Sequence, residues 1–332
     1  MTTVSSKISL QDLLAEFNFI KNSFFDGVAG VFCVDSGKPG PTLGITLNTH
    51  GNEPSGLAVL AYFRHQFSLK EKMLGGKVFF VLNNLEATKQ YFVAMQIKNK
   101  KAREEAKGKC RFTKAGCNFN RLPKDTLTRR GDKRYEVQRA QKLSPIWAKF
   151  SVGFDIHSMV QKSPAMIIAC GGFRENLIAG FPVGIIIRNI DVIQKNKPAV
   201  YFYGKSKSTP MVAIEAGYHE DETSFKCATK CVLSLMRTIG MLPKAGQTAK
   251  ARIYKEYQID DSVMFPNKSY KLVKVLKPFE RIKEGQLLAC GNRGDVFSPF
   301  SGHALMGPKD ITPDSIEEEV LFLSRPIRIV KI

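Results

Sequence analysis

Gly44-Ile-Thr-Leu-Asn-Thr-His-Gly-Asn-Glu-Pro54 decides how the rest of the chain is read. Its apolar beginning has the pattern of a buried strand, and Gly51-Asn52 stops that strand at a turn. An imidazole and a carboxylate, His50 and Glu53, project from the turn three residues apart. Two further apolar runs end in the same way: Phe150 to Ile156 leads to His157, and Met211 to Ile214 leads to Glu215. Val78 to Leu82 and Met166 to Cys170 are additional short runs bounded by turn formers, as buried strands are. Helical spacing fills the intervals, over Gly56 to Gln66 and again over Ser224 to Ile239. The alternation predicts an α/β chain whose central, largely parallel sheet is flanked by helices. In such a sheet the functional groups gather at the strands' C-terminal ends, where His50, His157 and Glu215 all fall.

Two histidines and one glutamate fill three corners of a tetrahedron and leave the fourth open, the arrangement of a catalytic zinc ion. His50, Glu53 and His157 are the expected ligands. Such an ion lowers the pKa of water to about 7, which meets the first need of amide hydrolysis at neutral pH. Glu215 is the expected general base, taking a proton from water and returning it to the leaving nitrogen. Asp155 shares a strand face with His157 and can hold the second nitrogen of that ring. No Gly-x-Ser-x-Gly elbow, P-loop or Gly-x-Gly-x-x-Gly occurs, so serine-hydrolase, nucleotidase and dinucleotide chemistry lack their loops.

At 332 residues and 43% hydrophobic content, the chain can bury a full core with a second, smaller unit. Ser9-Leu-Gln-Asp12 resembles a capping box ahead of an amphipathic first helix. After about residue 250 the texture changes: Tyr270 to Lys277 alternates at period two, and Gly- and Pro-containing turns follow. The expected division is therefore a catalytic domain over 1–250 and a small C-terminal β domain over 251–332. Seven cysteines without a CxxC pair do not form a disulfide framework, and Cys227 with Cys231 reads as two buried thiols on one helix face. Neither a leader-like N-terminus nor an apolar run of about 18 residues is present, so the expectation is a cytoplasmic protein with no membrane span.

The formal charge of +20 is concentrated between Lys98 and Lys149, where 17 Lys or Arg face 5 Asp or Glu. A field that steers anions toward a cleft is one reading; a solvated charged loop is the plainer one. Aromatic residues are sparse in this segment, which disfavours nucleic-acid stacking.

The order of four motifs resembles the succinylglutamate desuccinylase and aspartoacylase family of zinc carboxypeptidase-like amidohydrolases. They are His50-Gly-Asn-Glu53, Arg111 followed by Asn120-Arg121, Asp155-Ile-His157 and Glu215-Ala-Gly217. The resemblance extends over roughly residues 40 to 310 and implies the family's mixed central sheet with helices on its flanks. It also implies one Zn2+ per chain and a small anionic N-acyl amino acid as substrate. By the same resemblance Arg111 polarises the scissile carbonyl, and Asn120 with Arg121 grips a substrate carboxylate. Tyr201 or Tyr203 would complete substrate binding, with Lys205 or Lys207 where the family has an arginine. Asn118-Phe-Asn-Arg replaces the more usual Asp-Leu-Asn-Arg. Two alternatives stay open: a zinc carboxypeptidase acting on peptides, and a non-catalytic protein whose basic face binds nucleic acid or acidic lipid. Homo-oligomerisation is left open as well.

Overall fold

A computed structural model of the chain describes residues 8–206, 208–219, 221–244, 253–308, 319–325 and 328–331. Lys207, one of the two lysines expected near the substrate, lies outside them. The expected capping box forms: Ser9 Oγ accepts from the Asp12 amide at 3.1 Å, and the Asp12 carboxylate accepts from the Ser9 amide at 2.8 Å. It opens α1 (Leu10–Lys21), followed by α2 (Ser55–His65), α3 (Leu85–Met95), α4 (Lys100–Gly108), α5 (Tyr135–Trp147) and α6 (Glu222–Thr238).

Among the described residues twelve strands form the main sheet. In chain order they are β1 (Val31–Asp35), β2 (Thr42–Leu47), β3 (Lys77–Leu82), β4 (Val152–Met159), β5 (Met166–Ala169), β6 (Ile185–Arg188) and β7 (Met211–Tyr218). The C-terminal part adds β8 (Ile253–Met264), β9 (Arg281–Ile282), β10 (Gly302–Leu305), β11 (Glu319–Ser324) and β12 (Arg328–Lys331). All five apolar runs picked out in the sequence are strands. The pairs β2·β3, β2·β4, β4·β7, β5·β6 and β6·β8 are parallel, whereas β7·β5 and β3·β1 are antiparallel, so the sheet is mixed.

Both faces of the sheet are covered. Leu43, Ile45 and Leu47 of β2 point into one apolar cluster with α2 and α6, while Phe79 and Val81 of β3 join Trp147 and Phe150 on the other. Gly44 lies on the second face because a Cβ there would stand 2.1 Å from the Phe150 ring. Near-continuous burial along β2 and β4 is what two-sided coverage requires.

β8 carries the sheet onward. Its first half lies parallel to β6, and its second half pairs antiparallel with β11. A third apolar cluster, including Val263, Leu288 and Leu323, sits among these C-terminal strands. The period-two stretch at Tyr270 forms ladder pairs only at Lys271–Leu272, within a separate three-stranded sheet. Its remaining lysines find no opposing strand, and Pro278 closes the run.

Candidate metal centre and active-site cavity

His50 and Glu53 leave the C-terminal end of β2 together, linked by a 3.3 Å hydrogen bond from the Glu53 amide to the His50 carbonyl. Between them Gly51 packs against backbone: a Cβ would meet the Ala87 carbonyl carbon at 2.3 Å and the Cys110 oxygen at 2.5 Å. Its amide donates to the Arg111 carbonyl at 3.1 Å, which ties this turn to the segment carrying Arg111. His157 and Glu215 lie within the last turns of β4 and β7 rather than after them, directly opposite one another in the parallel register. Side chains paired this way share a face. A register shift follows at once between His157 and Met159.

His50, Glu53 and His157 are buried and offer ligand atoms within 4.8 Å of one another. Glu53 Oε1 lies 2.7 Å from His50 Nδ1, and its Oε2 lies 2.8 Å from His157 Nδ1. The ring tautomers follow from the far side. Asn118 Oδ1 sits 2.9 Å from His50 Nε2, and that oxygen's orientation is fixed because it also accepts from the Asn120 backbone amide at 2.8 Å. His50 Nε2 therefore carries the proton. His157 Nε2 has two neighbours, Asp155 Oδ2 at 3.1 Å and Asn120 Nδ2 at 3.2 Å. A hydrogen bond to a carboxylate is about twice as strong as a neutral one, and Thr46 and Thr49 anchor Asp155 at 2.6 and 2.9 Å. Asp155 thus takes the His157 Nε2 proton.

When both rings are neutral, each aims an Nδ1 lone pair at a carboxylate oxygen. Lone pair against lone pair is unfavourable unless a proton or a cation lies between them. Two imidazoles with their outer nitrogens held by acceptors, converging on one carboxylate, are the donor set a zinc ion takes. Burial, followed by the charge of Arg111, pushes His50 below its usual range and so favours the neutral ring. Burial acts the same way on His157, but the charges of Asp155 and Glu53 outweigh it and carry that ring well above the ordinary value. The residues present fit a divalent cation.

These groups form one wall of a cavity of about 580 Å3. Glu215 stands in it with Oε2 buried and without a hydrogen-bond partner among the described residues. Burial, reinforced by the negative charge of Glu53, raises its carboxyl to about 8. Arg111, half-exposed, reaches within 3.8 Å of Glu53 Oε1. Its loop is held from beneath by Glu136 of α5, whose buried carboxylate accepts from the amides of Thr113 at 2.7 Å and Cys117 at 3.0 Å. Gly116 has no room for a side chain here, since a Cβ would fall 1.8 Å from that carboxylate.

Asn120 and Arg121 also line the cavity. Asn120 Oδ1 accepts from the Ala199 amide at 3.0 Å. Tyr201 and Lys205, the other two expected substrate contacts, are not brought here: both line a separate cavity of about 250 Å3. The turn of 3-10 helix at Ala199–Phe202 explains why, because Pro198 and Val200 face the main cavity and Tyr201 turns the other way. Tyr203 is buried, with its hydroxyl accepting from Asn83 Nδ2 at 2.7 Å.

The main cavity also contains groups that the sequence reading did not single out. Ser158 Oγ lies 2.9 Å from His219 Nδ1, and Gln194 and Glu319 meet Arg121. His219 lines the cavity. Thr46 and Thr49, the polar members of an otherwise apolar strand and its turn, were the available signal for a buried acceptor such as Asp155.

The sequence from residue 39 to 178 matches the family described as the succinylglutamate desuccinylase/aspartoacylase catalytic domain. Residues 39–178 belong to that family. The matched segment of this desuccinylase/aspartoacylase domain contains His50, Glu53, His157, Arg111, Asn120 and Arg121; Glu215 lies beyond it. Among curated proteins none matches the sequence. Solved structures do. A succinylglutamate desuccinylase from Silicibacter sp. TM1040 is 14% identical, with 93% of each chain covered and a TM-score of 0.58. One from Vibrio parahaemolyticus is 11% identical, covering 91% of this chain and 89% of that one at a TM-score of 0.65. Murine aminoacylase 3 is 18% identical, covering 89% and 98% at 0.59. At such identities the likeness establishes a shared fold, the α/β architecture with its mixed central sheet.

Proposed function

We propose that this chain is a zinc-dependent hydrolase that cleaves the amide bond of a small N-acyl amino acid. The observation that carries the reading is the convergence of His50 Nδ1 and His157 Nδ1 on Glu53, with Glu215 Oε2 unpartnered among the described residues. His50, Glu53 and His157 would hold one zinc ion, which when bound supplies a Lewis acid and lowers the pKa of water toward neutrality.

The remaining work falls to side chains. Glu215, poised by its dry surroundings, takes a proton from the attacking water as the new carbon–oxygen bond forms. It then delivers that proton to the amide nitrogen as the carbon–nitrogen bond breaks, so the products are a carboxylate and an amine. Arg111 faces the same space and donates to the carbonyl oxygen as negative charge develops on it. Asp155 keeps the His157 ring in one tautomer, and Asn118 does the same for His50. Asn120 and Arg121 form the wall against which the far end of the substrate lies.

A free amino-acid derivative suits this space better than a polypeptide does. Met306, Gly307, Val320 and Phe322 from the C-terminal strands wall the cavity, which is the role we assign to the unit from residue 251 onward. Lys101, Lys107, Lys109 and Arg111 outnumber Glu104 and Glu105 along the cavity lining, and this positive excess supports anionic substrates by steering. Among the described residues no helix is long and apolar enough to cross a membrane, in keeping with action in the cytoplasm. Incubating the zinc-loaded protein with a panel of N-acyl amino acids should release free amine. Failure of every member, under conditions where zinc is bound, would refute the activity.

A further inference from the structure

Arg121 is already occupied by the protein. Its Nε donates to Glu319 Oε2 at 2.5 Å, and Nη1 donates to the Asn120 carbonyl at 2.8 Å. Gln194 turns its amide oxygen toward the guanidinium, the orientation in which its oxygen meets donors and its nitrogen acceptors. It then accepts from Nη1 at 2.9 Å and Nη2 at 3.0 Å. Four of the five N–H groups of a guanidinium are used in this way. The pair is enclosed as well, with the Arg121 side chain 12% exposed and that of Glu319 4%. The ring of Phe322, 5.9 Å from the guanidinium carbon, packs against the same group.

An incoming carboxylate would have to share this cation with Glu319 where both side chains are largely enclosed. Juxtaposing like charges in such a place costs several kcal/mol, and displacing Glu319 strands a buried charge instead. Around the pair the cavity is apolar, lined by Ile190, Pro198, Val200 and Phe322. The cavity is also lined by Lys101, Lys107, Lys109 and Arg111, which outnumber Glu104 and Glu105 of the same segment. The space therefore suits an uncharged apolar group beside Arg121 and an anion elsewhere.

We infer that Glu319 is a specificity-determining residue: by neutralising Arg121 it restricts the cavity to substrates with a single carboxylate and an uncharged group at the Arg121 end. This inference rests on the amidohydrolase reading and narrows its substrate class. It is tested with compound pairs that differ in one charge, N-acetylglutamine against N-acetylglutamate and N-pentanoylalanine against N-succinylalanine. Turnover and ligand-induced melting shifts are measured for the zinc-loaded wild type and for Glu319→Gln.

The wild type should favour the uncharged member of at least one pair by about tenfold or more in kcat/KM. Glu319→Gln should shift that ratio toward the charged member by about tenfold or more, chiefly through KM. A wild-type preference for both charged members, or a ratio that the variant leaves in place, overturns the inference while the hydrolase reading stands. No turnover by either protein, together with a melting shift from charged ligands that appears only in Glu319→Gln, refutes the hydrolase and supports the inference. Neither turnover nor a melting shift from any compound refutes both. If Glu319→Gln fails to fold, the wild-type ratios decide the matter alone.

Discussion

The metal end and the Arg121 end of one cavity are built on opposite plans. At the metal end His50, Glu53 and His157 converge on one another, with Asn118 and Asp155 holding the outer nitrogens of the two rings. His50 and Glu53 share a turn, and Asp155 and His157 share a strand. At the Arg121 end the cation is present and satisfied, by Glu319 from a strand 198 residues further along the chain. The first end is therefore a cluster of converging donors of the kind a cation takes, whereas the second is a complete ion pair.

The sharpest way to break this contrast is to remove a metal ligand. His50→Ala should take the zinc content of the purified protein from about one per chain to background, by elemental analysis. If zinc is retained at full occupancy, the ligand assignment fails. Glu215→Ala separates holding the metal from using it: metal content should stay whole while turnover falls about 10^2- to 10^4-fold. Full turnover in that variant would show that another group moves the proton.

Asp155→Asn probes the layer behind the ligands. Its expected cost is about 10- to 100-fold in metal affinity, read by competition with a chelator, and an unchanged affinity would mean that the His157 tautomer is set elsewhere. Glu136→Ala tests the support beneath Arg111. Leaving the Thr113 and Cys117 amides unpaired should cost about 1–3 kcal/mol for each buried donor, measured by denaturant unfolding. No loss of stability would contradict the role given to that buried carboxylate.

How much of this was legible in the sequence divides along the same line. The metal end could be read because its chemistry is compressed into short motifs, His50-Gly-Asn-Glu53 and Asp155-Ile-His157, each at the end of a short apolar run bounded by turn formers, as buried strands are. The five strands and two helices read from those runs all formed, since two-sided burial leaves an unbroken apolar signature. What could not be read was pairing over long separations between ordinary residue types. Nothing about Glu319 or Gln194 in their own neighbourhoods marks them as partners of Arg121. Glu136, at the start of an amphipathic helix, looks like any acidic first-turn residue. Tyr201 and Lys205 mislead for a related reason: proximity in sequence to cavity-lining Pro198 and Val200 does not decide which way a turn faces.

A further expected effect concerns pH in the metal-free protein. Glu215 has a folded-state pKa raised from 4.5 to about 8, so the folded chain keeps a proton that the unfolded chain has lost. Its contribution to stability is fully present below about pH 4.5 and is lost as pH rises through about 8. Relative to Glu215→Gln, the wild-type melting temperature should therefore decline across that window. Added zinc should shrink the difference by countering the charge of Glu53. A flat difference would mean that Glu215 is better solvated than its place in the cavity indicates.

The metal assignment depends most directly on which nitrogens face the ion. Anomalous diffraction at the zinc edge from crystals of the zinc-loaded protein should give one strong peak bonded to Nδ1 of His50, Nδ1 of His157 and the Glu53 carboxylate, with both Nε2 atoms still on Asn118 and Asp155. A peak bonded through Nε2, a peak at another group of side chains, or no peak at this cluster would contradict it.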